Sequence, residues 1–284
     1  IIRARVPVRL SFVGGGMDMS QHMNQYNSSV LSTTISKYCT ASILPRNDRK
    51  IFLMSKDLRQ SIEVDSIEDL IFDGKLDLLK AALKVMKPDF GLELETFAEF
   101  EPGTGLGGSS ALSVAILGAL NEFRNESMLS QYQLADLAYQ AERVELNLKG
   151  GWQDQYTTSF GGFNWIEFRR DDVLVNPIRL PREVQLELEY NLMLFRLGGQ
   201  RNSNQLQEDL VKKAPNKKNS NSVWQRMQEI AKFMKETLLK GNVKQFGDCL
   251  DEVWQLKKTM NPKVSTPFID ECYNQAREYG ALGG

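Results

Sequence analysis

Between Glu101 and Leu120 the chain reads E-P-G-T-G-L-G-G-S-S-A-L-S-V-A-I-L-G-A-L, and no other stretch narrows the possible folds as much. Four glycines fall within Gly103–Gly108, two serines follow, and an apolar run begins. Glycine reaches backbone angles that other residues avoid and lets a ligand approach the main chain. Ser109 or Ser110 is expected to cap the helix that follows. Leu112, Ile116, Leu120 and Phe123 recur at helical spacing. A glycine loop that feeds a buried helix gathers unpaired amides and the positive end of the helix dipole. An anion is favoured there, a polyphosphate most of all. The expected cradle is Pro102, Gly103, Thr104, Gly105, Leu106, Gly107, Gly108, Ser109 and Ser110.

Two familiar phosphate loops do not fit. No lysine follows the glycines, which excludes G-x-x-x-x-G-K-[ST]. Gly103, Gly105 and Gly108 satisfy G-x-G-x-x-G, but the acidic residue downstream, Glu122, lies inside the same predicted helix rather than on a second strand. On pattern alone, a tight strand-to-helix turn remains an alternative.

Three further points carry chemistry. The N-terminal segment Ile1–Val13 alternates apolar and polar residues, with an interruption expected at Pro7, and runs into Gly14-Gly15-Gly16-Met17-Asp18. Asp18 can accept hydrogen bonds from a pair of polyol hydroxyls, and Arg9 offers a permanent positive charge. A surface turn beside a solvated arginine is the plainer reading. A helix predicted over Gln131–Asn147, capped by Ser130, carries Glu142 and Glu145 beside its apolar stripe. Such a carboxylate needs an arginine, a backbone donor or a metal, and the pattern does not choose between the two. Lys149-Gly150-Gly151-Trp152-Gln153-Asp154-Gln155 again sets two glycines before an acid, which is equally a helix C-cap followed by an exposed aspartate. The single histidine, His22, is read as a polar residue on a short helix, since no hydrolase signature accompanies it.

These motifs resemble those of the GHMP small-molecule kinases. P-G-T-G-L-G-G-S-S-A (102–111) is similar to the family's second motif, P-V-R-L-S-F-V-G-G-G-M-D (7–18) to its first, and G-G-W-Q-D-Q (150–155) to the catalytic segment of heptose kinases and fucokinases. The resemblance implies ATP and Mg²⁺, with the glycine loop on the nucleotide phosphates and Ser109 and Glu142 on the metal. It further implies Asp154 as the base toward a sugar hydroxyl, Arg9 near the transferring phosphate, and Gly15, Gly16 and Asp18 on the sugar. From its place after Gly198-Gly199, Arg201 is a candidate anion contact, and Arg201, Arg5 and Lys149 are the candidates for a sugar phosphate. The fine pattern is most similar to D-glycero-D-manno-heptose 7-phosphate kinases, which phosphorylate the anomeric hydroxyl. An L-fucose kinase or galactokinase-like enzyme is the alternative, and a non-catalytic sugar- or nucleotide-binding relative a second one.

The remaining pattern is mixed helix and strand without strict βαβ alternation, hence α+β. The resemblance expects a ribosomal protein S5 domain 2-like N-terminal domain over 1–185 and a ferredoxin-like C-terminal domain over 186–284. The family's third glycine-rich motif would begin at Gly280, where the sequence ends. Other expectations are a hairpin joining Ser28–Ile43 to Ile51–Ser55 and strands at 92–100, 161–168 and 173–178. A strand is also expected over Leu186–Leu197, a polar loop over Gln205–Ser222, and helices at 76–86, 224–239, 243–260 and 267–279.

Of 284 residues, 42% are hydrophobic and 25% charged, and the net charge is −1. No global basic field favours nucleic acid or an anionic membrane, so any phosphate site must be local. Cys39, Cys249 and Cys272 are widely spaced without C-x-x-C, which points away from a disulfide framework or zinc site and toward a reducing cytoplasm. No secretion leader and no membrane span of ~18 apolar residues are read. A monomer or homodimer is expected.

Overall fold

The structure is a computed structural model that describes residues 1–23, 27–124, 127–170, 172–198 and 218–284. By contact these group into two units. One comprises Ile1–Leu10 and Thr34–Gly161, the other Ser11–Thr33 and Gly162–Gly284.

The first unit is built on strands β1 (Ile2–Val13), β2 (Ser28–Pro45), β3 (Ile51–Ser55), β4 (Gln60–Val64) and β5 (Leu92–Ala98), β1 and β2 continuing into the second unit. Its order is β4-β3-β5-β2, with β1 paired to β2. β1 runs unbroken through Pro7, where a break was expected. Among the described residues its strand partner is β2, and an edge strand tolerates a residue without an N–H. The expected hairpin between β2 and β3 is absent. Instead β5 lies antiparallel to β2, with Ile43 opposite Leu94, and parallel to β3, with Leu53 also opposite Leu94, while β3 turns into β4.

Three helices cover this sheet's apolar residues: α2 (Asp77–Met86), α3 (Gly108–Asn121) and α4 (Gln131–Tyr139), α1 being the short Ser20–Met23 turn of the other unit. Helix α3 is largely apolar and correspondingly buried, Ala115, Ile116, Leu117 and Ala119 completely. Its partners in the core include Leu53, Leu92, Leu94, Leu79 and Leu83. A buried Leu or Ile contributes about 1.5–3 kcal/mol, so this helix is a fixed platform for the loop that precedes it.

A cationic group is buried against this layer. Lys80 is only 2% exposed. Its Nζ donates to the Ile71 carbonyl at 2.8 Å and Asp77 Oδ1 at 3.1 Å, and to Asp73, and this clips the 70–77 loop onto α2. Lys80→Met keeps the apolar stem and strands the oxygens, so stability should fall by about 2 kcal/mol, read as a lower urea midpoint. The cost stays below that of a fully buried pair because Asp73 can rehydrate.

In the second unit, β2 residues 28–33 pair antiparallel with β6 (Phe163–Arg169), which pairs with β7 (Asp172–Pro177). The structure described after Pro177 is helical: α6 (Arg182–Asn191), α7 (Lys218–Leu239), α8 (Val243–Met260) and α9 (Pro267–Glu278), with a 3₁₀ turn at Pro262–Val264. The strand expected over Leu186–Leu197 is therefore corrected to a helix followed by irregular chain. Val184, Leu186, Leu188 and Tyr190 alternate in sequence. Yet the residues that meet the core are Val184, Leu188 and Leu192 at helical spacing, while Leu186 and Tyr190 are exposed. Helix α7 opens at Lys218, earlier than Trp224. Within the polar 205–222 segment, residues 205–217 lie outside the described residues.

Candidate active site

The glycine loop is held by β1. The Arg9 amide donates to the Leu106 carbonyl at 2.9 Å, and Gly103, Gly105 and Gly107 take φ values of 82°, 77° and 72°, which favour glycine. Helix α3 starts at Gly108 with left-handed Gly107 before it, and no side chain caps it. Capping by Ser109 or Ser110 is thus overturned: the cap position falls on Gly107, and both serines already lie inside the first helical turn. Gly108 itself must lack a side chain, since a Cβ there would lie 2.5 Å from the Phe100 ring. The amides of Gly108, Ser109 and Ser110 stand in the helix's first turn, where no intrahelical acceptor lies behind them. Loop residues Pro102, Gly103, Thr104 and Gly105 are exposed, and Leu106 is half-buried with Val8, Cys39 and Ala111 beneath. Burial, reinforced by Asp57 and Glu99, pushes the Cys39 thiol up to about 12, so it stays neutral, and it donates weakly to the Gly108 carbonyl at 3.5 Å.

Asp154 lies in the first turn of a helix absent from the sequence reading, α5 (Gln153–Phe160), rather than at a helix end. It is not a solvated cap residue. Arg9 Nε donates to its Oδ1 and Arg9 Nη2 to its Oδ2, both at 2.7 Å, while Arg9 Nη1 donates to the Gly105 carbonyl at 2.6 Å. The fork is 14% exposed and the carboxylate 24%, so a ligand can still meet the latter. One arginine therefore joins the N-terminal strand, the glycine loop and the acidic motif.

After Tyr139, α4 widens into a π-helical turn over Gln140–Glu145, a form frequent at functional sites. Glu142 points inward with no exposed surface. Ser109 Oγ donates to its Oε2 at 2.8 Å, Gln155 Nε2 to its Oε1 at 3.0 Å, and Arg143 Nη1 lies 3.7 Å from Oε2. Glu145 is exposed. Of the two carboxylates that the sequence left open, Glu142 is the one that meets Ser109. The turn is braced by Tyr139 stacked on Trp152, ring centroids 3.4 Å apart, and by Gly150, whose backbone lies so close to the Arg143 guanidinium that a side chain would collide with it. Sequence reading missed Gln155; its signal was its place beside Asp154 in the motif.

In the second unit, Gly14 and Gly16 take φ of 98° and 94°, and Asp18, 6% exposed, accepts from the Gly16 amide at 3.0 Å. A Cβ at Gly14 would lie 2.5 Å from the Ser29 carbonyl, so the turn is pressed onto β2. Arg201 lies outside the described residues. His22 belongs to α1. Arg5 is engaged with Glu99 at 3.3 Å and covers the Tyr38 ring, and Lys149 donates to Asn147. Among the described residues no cluster of three or more His, Cys, Asp or Glu side chains could hold a metal, and no helix is long and apolar enough to cross a membrane.

The family pattern described as GHMP kinases N terminal domain matches residues 77–162, the span that carries the glycine loop, Glu142 and Asp154. The whole chain is 35% identical to D-glycero-alpha-D-manno-heptose 7-phosphate kinase of Campylobacter jejuni, over 85% of that protein. It is 27% identical, over 98% of its length, to the bifunctional fucokinase/GDP-fucose pyrophosphorylase of Arabidopsis thaliana, of which it covers 28%. The crystal structure of a D-glycero-D-manno-heptose 1-phosphate kinase from Bacteroides thetaiotaomicron superposes with a TM-score of 0.82 at 30% identity, covering all of this chain and 84% of that one. The mixed helix-and-sheet fold is that of these kinases. The chain belongs to the GHMP kinase family, as an ATP-dependent sugar kinase.

Proposed function

We propose that the chain transfers the γ-phosphoryl group of ATP to the anomeric hydroxyl of D-glycero-D-manno-heptose 7-phosphate, giving the 1,7-bisphosphate. The observation that carries the reading is the Arg9 fork, which holds Asp154 by both oxygens and the glycine loop by the Gly105 carbonyl. The choice of sugar follows the full-length similarity to the Campylobacter jejuni enzyme.

Phosphoryl transfer asks mainly for positioning and charge neutralisation. Pro102–Ser110 would cradle the nucleotide phosphates through backbone amides and the α3 N-terminus. Ser109 and Glu142 would hold Mg²⁺. Their oxygens, 2.8 Å apart, are a hydroxyl and a carboxylate, the hard donors this ion prefers. Bound there, the metal would offset charge on the transferring group. Asp154 would accept the proton of the attacking hydroxyl as its oxygen bonds to the γ-phosphorus and the bond to ADP breaks. Arg9 would keep that carboxylate oriented and offset developing charge. Gly15, Gly16 and Asp18 would bind sugar hydroxyls, and Arg201 the substrate's own phosphate.

The test is an ADP-release assay across heptose 7-phosphate, fucose and galactose, with ³¹P NMR of the product. An anomeric phosphate resonance with the heptose substrate is expected. Turnover on fucose or galactose alone would replace the substrate, and nucleotide binding without turnover on any sugar would leave a non-catalytic relative.

A further inference from the structure

We propose that Gln155 is a positioning residue that sets the metal affinity of the site by fixing the Glu142 carboxylate. The proposal rests on the reading of Glu142 as a metal ligand. Glu142 has no exposed surface, and its two oxygens are held separately, Oε1 by Gln155 Nε2 at 3.0 Å and Oε2 by Ser109 Oγ at 2.8 Å. With Oε1 tied back, Oε2 is the oxygen presented beside the serine hydroxyl. The amide orientation follows from its partner, since a carbonyl oxygen facing the carboxylate would be repelled.

Space-filling does not account for this side chain. Gln155 is completely buried, and its Oε1 has no hydrogen-bond partner among the described residues. A methionine would fill the same volume without leaving a buried acceptor unpaired. What a methionine cannot do is hold Oε1. Gln155 is also the neighbour of Asp154 in the first turn of α5, so one short helix carries both the proposed base and the group that orients the metal carboxylate. Groups that orient a ligand in this way typically change metal affinity 10–100-fold when removed.

The test is Gln155→Met, with Mn²⁺ as the probe. Binding to the protein with saturating ADP is followed by loss of the free-ion EPR signal, beside the metal dependence of turnover. Mn²⁺ affinity should weaken about 10-fold, with the KM for sugar unchanged. In a Glu142→Gln background the same substitution should weaken it less than about twofold, because the two act through one carboxylate. Wild-type affinity in Gln155→Met, or an equal loss in both backgrounds, would overturn the proposal. If Gln155→Met does not fold, Gln155→Asn, polar but too short to reach Oε1, carries the same expectation and the same refutation. An unchanged Mn²⁺ affinity in Glu142→Gln alone would sink the metal-ligand reading itself, and the proposal with it.

Discussion

Asp154→Asn should lower kcat at least ~10²-fold, the ordinary contribution of a positioned general base. The substitution keeps size and shape, so the loss reports chemistry rather than collapse. The amide differs from the carboxylate in two ways that the geometry makes explicit. It cannot take a proton from an attacking hydroxyl. It also turns one of its two ends into a donor facing Arg9, whose Nε and Nη2 already donate to both oxygens at 2.7 Å. One arm of the fork is then lost, and stability should fall by about 1 kcal/mol. The KM for ATP should change by no more than about threefold, because the loop amides and the α3 N-terminus are untouched. Steady-state ADP release with heptose 7-phosphate, paired with thermal unfolding, measures both. Near-normal turnover would remove Asp154 from the role of base.

What could be read from the chain was what depends on local pattern. The glycine loop was legible because glycine spacing and a helical apolar run are both local signals, and the buried α3 follows from them. The four chemical points of the first unit, Arg9, the loop, Glu142 and Asp154, are brought into one connected set, although they lie up to 145 residues apart. Their order in sequence was visible, but their hydrogen bonds were not. What failed did so where a distant partner decides. Ser109 or Ser110 was expected to cap α3, but left-handed Gly107 takes the cap position and Ser109 instead serves Glu142. Strand β5 separates β2 from β3, through pairings between residues 41 to 59 apart that no local alternation encodes. Val184, Leu188 and Leu192 were hidden within an alternating run that reads as strand. The π-helical turn that aims Glu142 inward also lacks a local signature, which is why Glu142 and Glu145 could not be separated by periodicity.

Arg9→Met should be the more damaging change, because this arginine serves three partners at once. It removes both bonds to Asp154 and the bond to the Gly105 carbonyl, leaving the carboxylate without its counter-charge. Breaking a fully buried pair this way costs ~3–5 kcal/mol, but Asp154 keeps 24% of its side-chain surface and can draw water, so about 2 kcal/mol is expected in a urea titration. The catalytic loss should exceed that of Asp154→Asn, at ~10³-fold or more in kcat/KM. On the roles proposed for them, Asp154 would lose its orientation, the loop would lose its tie to Asp154, and the positive charge that Arg9 offers the transferring phosphoryl would vanish. Arg9→Lys separates these effects. One ammonium supplies charge but cannot span two carboxylate oxygens and a carbonyl, so it should recover part of the rate, to within ~10–100-fold of wild type. The double variant Arg9→Met with Asp154→Asn then decides whether the fork is one device. If Arg9 acts by holding Asp154, removing it matters less once the base is gone, and the combined loss should fall well short of the product of the single losses. A fully multiplicative loss would mean that Arg9 acts on the transferring phosphoryl independently of the carboxylate it grips.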